Sequence, residues 1–467
     1  MQITTTEFVK RKAYLQLMKI DVYIDNIYII VSNMPEDKKA LIKECFTFKD
    51  ASKAFNVSGE FDRRRIKLVR LYSERKNSII LYSGFLKDFL ILCKKEKISI
   101  NVTDKRKKIK NVPSNLRSFF PEEFEHTEHQ ESALEAMLKT HCGIIKAPTS
   151  SGKSSIIIAY LKVTKQPSLI LVNKIDLANQ LYNNIKDAGL DVGICTGKKF
   201  IEEDIMVSTI FSIKKIKNIE DFKIVIVDET HHSCSNVYQE FFKKNNVPFR
   251  FGFSATPENS DPFKWGLTKQ HVGSIIYEVN AHELMDKKVL AKPTIKFLNH
   301  NCKRTLDWES GYRINIIGNE SRNNKIKEVV EDYDVPTLII VRYIDHGNIL
   351  EKLLENSVFL NGDVSSDDRQ EAVKDFENGK IKTIIATAIF NEGISINAIR
   401  LLVIASAGKS KIEVLQRLGR SLRIDKKTNK YTVDVYDFFD KGNRFTEKHS
   451  KERIRIYKKE GFDVLLP

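Results

Sequence analysis

The run APTSSGKS at 147–154 sets a lysine and a hydroxyl at the end of a glycine turn, directly after the apolar stretch GIIKA and before a helical one. A loop of that kind binds phosphate, because backbone N–H groups in the turn cradle the oxygens and the helix N-terminus favours negative charge. Thr149, Ser150, Ser151 and Gly152 form the turn; Lys153 is expected to reach the β and γ phosphates, and the Ser154 hydroxyl to sit on Mg2+. Ala147 stands where glycine is commonest. A second run, VDETHH at 227–232, ends the apolar strand IVIV. Two adjacent carboxylates at the end of a strand can divide the work, Asp228 holding Mg2+ through water and Glu229 polarising the attacking water. ATP and Mg2+ are therefore the expected cofactors. His231 and His232 offer metal-binding nitrogens, but no further His/Cys cluster accompanies them. The stretch AGKS at 407–410 ends like the phosphate loop, yet Val403 stands five residues before Gly408, so Lys409 reads as a surface or nucleic-acid lysine.

These residues need a frame that brings strand ends together. From residue 143, short β-branched runs alternate with helical stretches: GIIKA, SLILV, IMVST, FKIVIV and FRFGFSA. A second series follows Pro293: TLIIV, VFLNG, KTIIAT, LLVIA and YTVDVYDF. Alternation of that kind predicts parallel sheets with crossover helices, here two α/β domains in tandem joined near VLAKP at 289–293. The segment at 299–318 interrupts the second series and is expected to be a hairpin or loop, on which Trp308 and Tyr312 could stack an unpaired base. Residues 1–112 differ in pattern and read as a separate α+β domain. The expected boundaries are 1–112, 113–290 and 291–467, with the insertion near 299–318.

The chain has 467 residues, 42% hydrophobic and 30% charged, which fits neither disorder nor a membrane protein. No apolar run reaches the ~18–20 residues of a spanning helix, and MQITTTEFVK lacks the apolar core of a secretion signal, so a soluble cytosolic protein without membrane contact is expected. The six cysteines are scattered, which predicts a reduced compartment and no structural zinc. The net charge is +16 and uneven: residues 1–115 hold 25 lysines and arginines against 13 acids. Such asymmetry points to a polyanionic partner. Arg63, Arg64, Arg65 and Lys67, with Tyr72 nearby, form the densest cationic cluster and are candidate contacts for that partner, which the resemblance given below makes DNA.

The surroundings of the two phosphate-chemistry runs carry a resemblance. GFSATP at 252–257 resembles motif III of superfamily 2 helicases, TAIFNEGISI at 387–396 resembles motif V, and QRLGRSLR at 416–423 resembles motif VI. The fourth residue of DETH makes the likeness one to the DExH enzymes. The doubled histidine of DETHH, the run ESRNNKI at 320–326 and SAGKSKIEVLQRLGRSLR at 406–423 are similar to the phage UvsW-type recombination-repair helicases, whose small DNA-binding domain the stretch 59–90 also resembles.

The resemblance implies two RecA-like domains behind a basic α+β DNA-binding domain. It implies that Gln130 reads adenine, that Arg420 and Arg423 neutralise the transferred phosphoryl group, and that Gln416 contacts the γ-phosphate or the water. Glu392 and Gly393 would lie near the ribose. DNA would meet Asn173, Lys174, Ser208, Thr209 and Thr387, of which the first two depart most from the family pattern. The implied activity is ATP-dependent unwinding or migration of forked and junction DNA with 3′ to 5′ polarity. A monomer would suffice, in the host cytoplasm for a phage-encoded chain. An RNA helicase, a restriction-system motor and a DNA scaffold with a vestigial nucleotide site remain as alternatives.

Overall fold

The computed structural model describes residues 19–52, 62–109, 112–121, 126–387, 398–408 and 432–466. It divides into two compact units, residues 1–146 with 154–278, and residues 147–153 with 279–467.

The first unit opens with a mixed sheet. Its strands are β1 (Ile20–Ile24), β2 (Tyr28–Ser32), β3 (Thr47–Asp50), β4 (Lys67–Arg70), β5 (Tyr72–Arg75), β6 (Ser78–Tyr82) and β7 (Ile100–Asp104), with helices α1 (Glu36–Cys45) and α2 (Leu86–Lys95). Five strands run in the order β5-β6-β2-β1-β7, while β3 and β4 form a separate ribbon. Alternate burial along β1, β2 and β6 sends Ile20, Val22, Ile29, Val31, Ile79 and Leu81 to one face, where Phe85, Phe89 and Leu92 cover them. β7 pairs in parallel with β1, so the chain just before the charged run at 104–110 belongs to the sheet.

Next comes a larger sheet. Its elements are α3 (Glu128–Lys139), β8 (Cys142–Lys146), α4 (Lys153–Thr164), β9 (Ser168–Val172), α5 (Ile175–Asp187), β10 (Gly193–Cys195), β11 (Phe200–Ile201), β12 (Ile205–Thr209), β13 (Ile224–Asp228), α6 (Asn236–Lys244), β14 (Phe249–Ser254), α7 (Pro262–Val272) and β15 (Ile275–Glu278). The strand order is β11-β10-β12-β9-β13-β14-β8-β15, parallel except for the β10–β11 edge. Central strands covered on both faces are mostly apolar, and β9 and β14 are buried at every residue, the polar Ser168, Arg250 and Ser254 included.

The small mixed sheet is not a free appendage. Arg250, 2% exposed on β14, donates to the Asn26 carbonyl and to Ser83 Oγ. Asp88 of α2 pairs with Lys269 and accepts from Ser274. Gly84 meets α7 so closely that a Cβ there would stand 2.1 Å from the Lys269 carbonyl oxygen.

The second unit follows α8 (Ala281–Asp286). It contains β16 (Lys292–Asn301), α9 (Trp308–Tyr312), α10 (Glu320–Tyr333), β17 (Thr337–Ile340), α11 (Ile344–Leu353), β18 (Ser357–Leu360), α12 (Ser366–Glu377), β19 (Thr383–Ala386), β20 (Leu401–Ile404), β21 (Thr432–Lys441), α13 (Arg444–Lys459) and β22 (Asp463–Leu465). All seven strands are parallel, in the order β18-β19-β17-β20-β21-β16-β22. The fold is thus two tandem RecA-like parallel-sheet domains preceded by a small α+β domain.

The segment at 299–318 corrects an expectation. It is not a hairpin, and only 302–307 form a loop: Asn299–Asn301 extend β16, and Trp308–Ile317 are helical. Tyr312 is fully buried, Trp308 lies 4.3 Å from His449 and 5.3 Å from Tyr312 between ring centroids, and Tyr343 closes the cluster. Tyr312 has no face left for a base, and Trp308 anchors α9 to α13.

Candidate nucleotide site

Parallel register brings the chemistry to one edge. Asp228 stands opposite Phe253 across β13 and β14, and Ser254 opposite Lys146 across β14 and β8. The phosphate loop therefore starts where Asp228, Glu229 and Ser254 end their strands, the edge at which parallel α/β sheets bind ligands.

The loop's backbone fits an anion. Ser150 and Gly152 have φ of 66° and 84°, and left-handed residues within a turn direct successive N–H groups into one concavity. Ser151 donates its hydroxyl to the Pro148 carbonyl, which fixes the turn from inside. The Thr149 hydroxyl is enclosed with no hydrogen-bond partner in the structure, as expected of a group waiting for a ligand oxygen. Lys153 and Ser154 open α4.

Glu229 sits at φ 50°, a left-handed position that costs a non-glycine residue on the order of 1 kcal/mol. Its carboxylate, 11% exposed, lies 3.3 Å from His231 Nδ1 and accepts from Ser254 Oγ at 3.3 Å. His231 and Ser254 are themselves 3.1 Å apart. His231 thus orients the carboxylate, and the His232 ring packs tilted against the His231 ring, 4.1 Å between centroids. The Glu229 N–H donates to Asp228 Oδ1 at 3.0 Å.

Among the described residues no group of three His, Cys, Asp or Glu could hold a metal ion.

Other expected site residues fare unevenly. Gln130 is 4% exposed, and its side-chain oxygen accepts from Thr127 N–H in the capping box of α3. Asn173 and Lys174 follow β9, with Lys174 capping α5. Ser208 and Thr209 are corrected as hydroxyl contacts for DNA: both are buried, Ser208 donating to the Thr209 carbonyl and Thr209 to Ser212 Oγ. Thr387 is half-buried and its N–H donates to Leu360 O. Arg63, Arg64 and Arg65 form one exposed helical turn before β4, where Asp62 pairs with Arg64 and Arg65, and Lys67 is exposed at the start of β4. Glu392, Gly393, Gln416, Arg420 and Arg423 lie outside the described residues.

A buried charge cluster in the second unit went unread in the sequence. Arg453 forks onto Asp437 and Arg322 binds Asp440, with all four side chains at zero exposure. Arg322 also donates to the Ala405 carbonyl and Arg453 to the Gly408 carbonyl, fixing the chain that leaves β20. Burial pushes the Asp440 carboxyl up, against the pull of the two arginines. The run ESRNNKI held the only hint, an arginine on a helix with few apolar residues.

Comparison with known proteins agrees with this geometry. Residues 123–259 match the family of the type III restriction enzyme res subunit, and 321–425 the helicase conserved C-terminal domain. The protein named helicase 22 of Sulfolobus islandicus filamentous virus is 28% identical over 346 residues, 64% of this chain and 62% of that one. The DNA 3'-5' translocase XPB2 of Sulfurisphaera tokodaii is 26% identical over 65% of this chain and 79% of its own length. The ATP-dependent DNA helicase uvsW of Enterobacteria phage T4 is 25% identical over 72% and 76%. Among solved structures, Saccharomyces cerevisiae Dbp5 bound to RNA and ADP BeF3 covers 73% of this chain and 89% of its own at 16% identity, with a TM-score of 0.54, a likeness of fold. With a phosphate loop, a carboxylate pair and motif III on one sheet edge, and both helicase domains matched in order, the chain resembles the ATP-hydrolysing helicases of superfamily 2, and among them the UvsW type.

Proposed function

We propose that this helicase is a DNA motor, moving 3′ to 5′ and unwinding or migrating forked and junction DNA in replication, recombination or repair. The observation that carries the reading is the Glu229–Ser254–His231 contact beside the phosphate loop, an intact water-activating site that argues against a vestigial nucleotide pocket. Relatives named for DNA translocation and DNA unwinding support the choice of nucleic acid. Bound Mg2+ supplies charge neutralisation on the phosphates, and Asp228 and Ser154 are the residues to hold it. Glu229 accepts the proton of the attacking water, while Lys153 holds the phosphates. Arg420, Arg423 and Gln416 complete the reading as groups that meet the γ-phosphate, with Glu392 and Gly393 at the ribose. Among the described residues no helix is long and apolar enough to cross a membrane.

The test is a panel of ATPase and unwinding assays on single strands, duplexes, forks and four-way junctions, with tails of both polarities and RNA counterparts. Stimulation by DNA with preferred opening of 3′-tailed forks is the expected result. Stimulation by RNA alone would make the chain an RNA helicase.

A further inference from the structure

A second cleft lies within the first unit, between the small mixed sheet and helices α6 and α7. Its volume is about 650 Å3. Clefts of roughly 300–1,000 Å3 take ligands of drug size, so there is room for a nucleotide or two. One wall is Arg70 of the β3–β4 ribbon with Tyr72, Tyr28 and Tyr82 of strands β5, β2 and β6; the other carries Lys243 and Lys264.

Charge and shape point the same way. Arg70, Lys243 and Lys264 are exposed and have no salt bridge among the described residues. Asp50 is the one carboxylate of the lining, which leaves a cationic excess. The three tyrosines are half-buried, with Tyr28 and Tyr82 rings 5.5 Å apart. Fixed aromatic faces beside free cations are what a strand with stacked bases and charged phosphates requires.

The lining also argues against reading of base edges. The Gln239 amide donates to the Ser233 and Leu267 carbonyls, and Gln270 donates to Gln239. Both buried amides are engaged inside the protein, and Asn236 is the one exposed amide of the lining, so recognition rests chiefly on stacking and phosphate contact. The exposed turn Arg63–Arg65 leads straight into β4, whose last residue is Arg70, and extends the basic track to the cleft.

We infer that this cleft holds one or two nucleotides of single-stranded DNA. The inference rests on the DNA-motor reading and adds a strand-binding site away from the nucleotide edge. The test uses the full chain and measures binding of oligodeoxynucleotides carrying 2-aminopurine at several salt concentrations. Lys243→Ala with Lys264→Ala should lower the slope of log affinity against log salt by about 1.4, at ~0.7 per single-strand phosphate contact. Tyr72→Ala should weaken binding about fivefold or more and abolish quenching of the stacked base, whereas Tyr72→Phe keeps both. Circular dichroism melting of each variant guards against a folding defect. Unchanged slope with Tyr72→Ala within twofold of the parent overturns the cleft, as does an effect seen with RNA but not DNA. A parent chain that neither binds DNA nor hydrolyses ATP faster in its presence sinks the DNA-motor reading itself, which is a different result.

Discussion

The Ser254 hydroxyl donates to the Glu229 carboxylate across 3.3 Å, joining the ends of two adjacent parallel strands. His231 touches both, so the carboxylate is held by one neutral donor and one ring nitrogen before any ligand arrives. Preorganisation of a base in this way acts on the rate of the chemical step rather than on ground-state binding. Ser254→Ala should therefore lower ATP turnover about tenfold while KM for ATP stays close to the parent, because a base displaced by about 1 Å can lose up to a hundredfold. Equal change in kcat and KM would show that Ser254 acts on binding. Glu229→Gln should bind ATP normally and lose turnover by roughly 10²–10⁴, the amide being unable to accept the water's proton.

Lys153→Ala should abolish hydrolysis, because the phosphate loop would keep its N–H donors and lose its cation. DNA binding through the surfaces of the small mixed sheet should persist. Near-parental DNA-stimulated turnover in this variant would remove Lys153 from the nucleotide site.

The reach of sequence reasoning follows the physics of each element. β9, β13 and β14 were legible because a strand buried on both faces is mostly apolar, and the carboxylate pair and the glycine turn were legible because their residue types admit few other uses. Helix α9 was not: Trp308 and Tyr312 are four apart, a spacing that suits a helix face, but the charged and polar residues around them suggested a loop. Ser208 and Thr209 misled because a hydroxyl at a strand end looks the same in sequence whether it meets a ligand or the next turn. β7 was missed because four of its five residues are fully exposed on an edge strand and its parallel neighbour lies about 80 residues earlier.

Separability of the small mixed sheet also changes with the structure. Deleting residues 1–112 would remove both acceptors of Arg250 and strip Phe48 and Leu71 from Gly266 of α7. A truncated chain should be less stable, so substitutions at Arg65 or Tyr72 are cleaner probes of DNA contact. Arg250→Met in the full chain, which takes one of two donors from the Asn26 carbonyl and the guanidinium from the Ser83 hydroxyl, should cost about 1–3 kcal/mol in urea unfolding. No loss would mean that water satisfies those groups equally well.

The Arg453–Asp437 pair predicts a larger effect. Removing one partner of a buried, fully enclosed ion pair leaves an uncompensated charge and costs about 3–5 kcal/mol. Arg453→Met should lower the melting temperature sharply, and Asp437→Asn with Arg453→Met should recover part of the loss. A single variant as stable as the parent would show that solvent reaches Asp437.

Acid sensitivity of the second unit should trace to His346. Burial holds its ring down to about 3, with the nearby Arg322 charge adding to the effect, and its Nε2 lies 3.0 Å from Asn323 Oδ1. The unfolded chain carries a histidine with the ordinary value of 6.5. Below that value the unfolded state binds a proton that the folded state refuses, so the stability His346 contributes is present above pH 6.5 and lost as pH falls towards 3. The slope is about 1.4 kcal/mol per pH unit for one group. His300, also in this unit and held to about 4 by burial, adds to the same window. Trp308 reports this unit and Trp265 the other, so Trp265→Phe isolates the signal. In that background His346→Gln should flatten the dependence of urea-unfolding stability between pH 6.5 and 5 by the slope of one histidine, because glutamine keeps a donor for Asn323 but takes no proton. An unchanged pH dependence would mean that His346 becomes charged in the folded state, which its enclosure among Arg322 and Asn323 opposes.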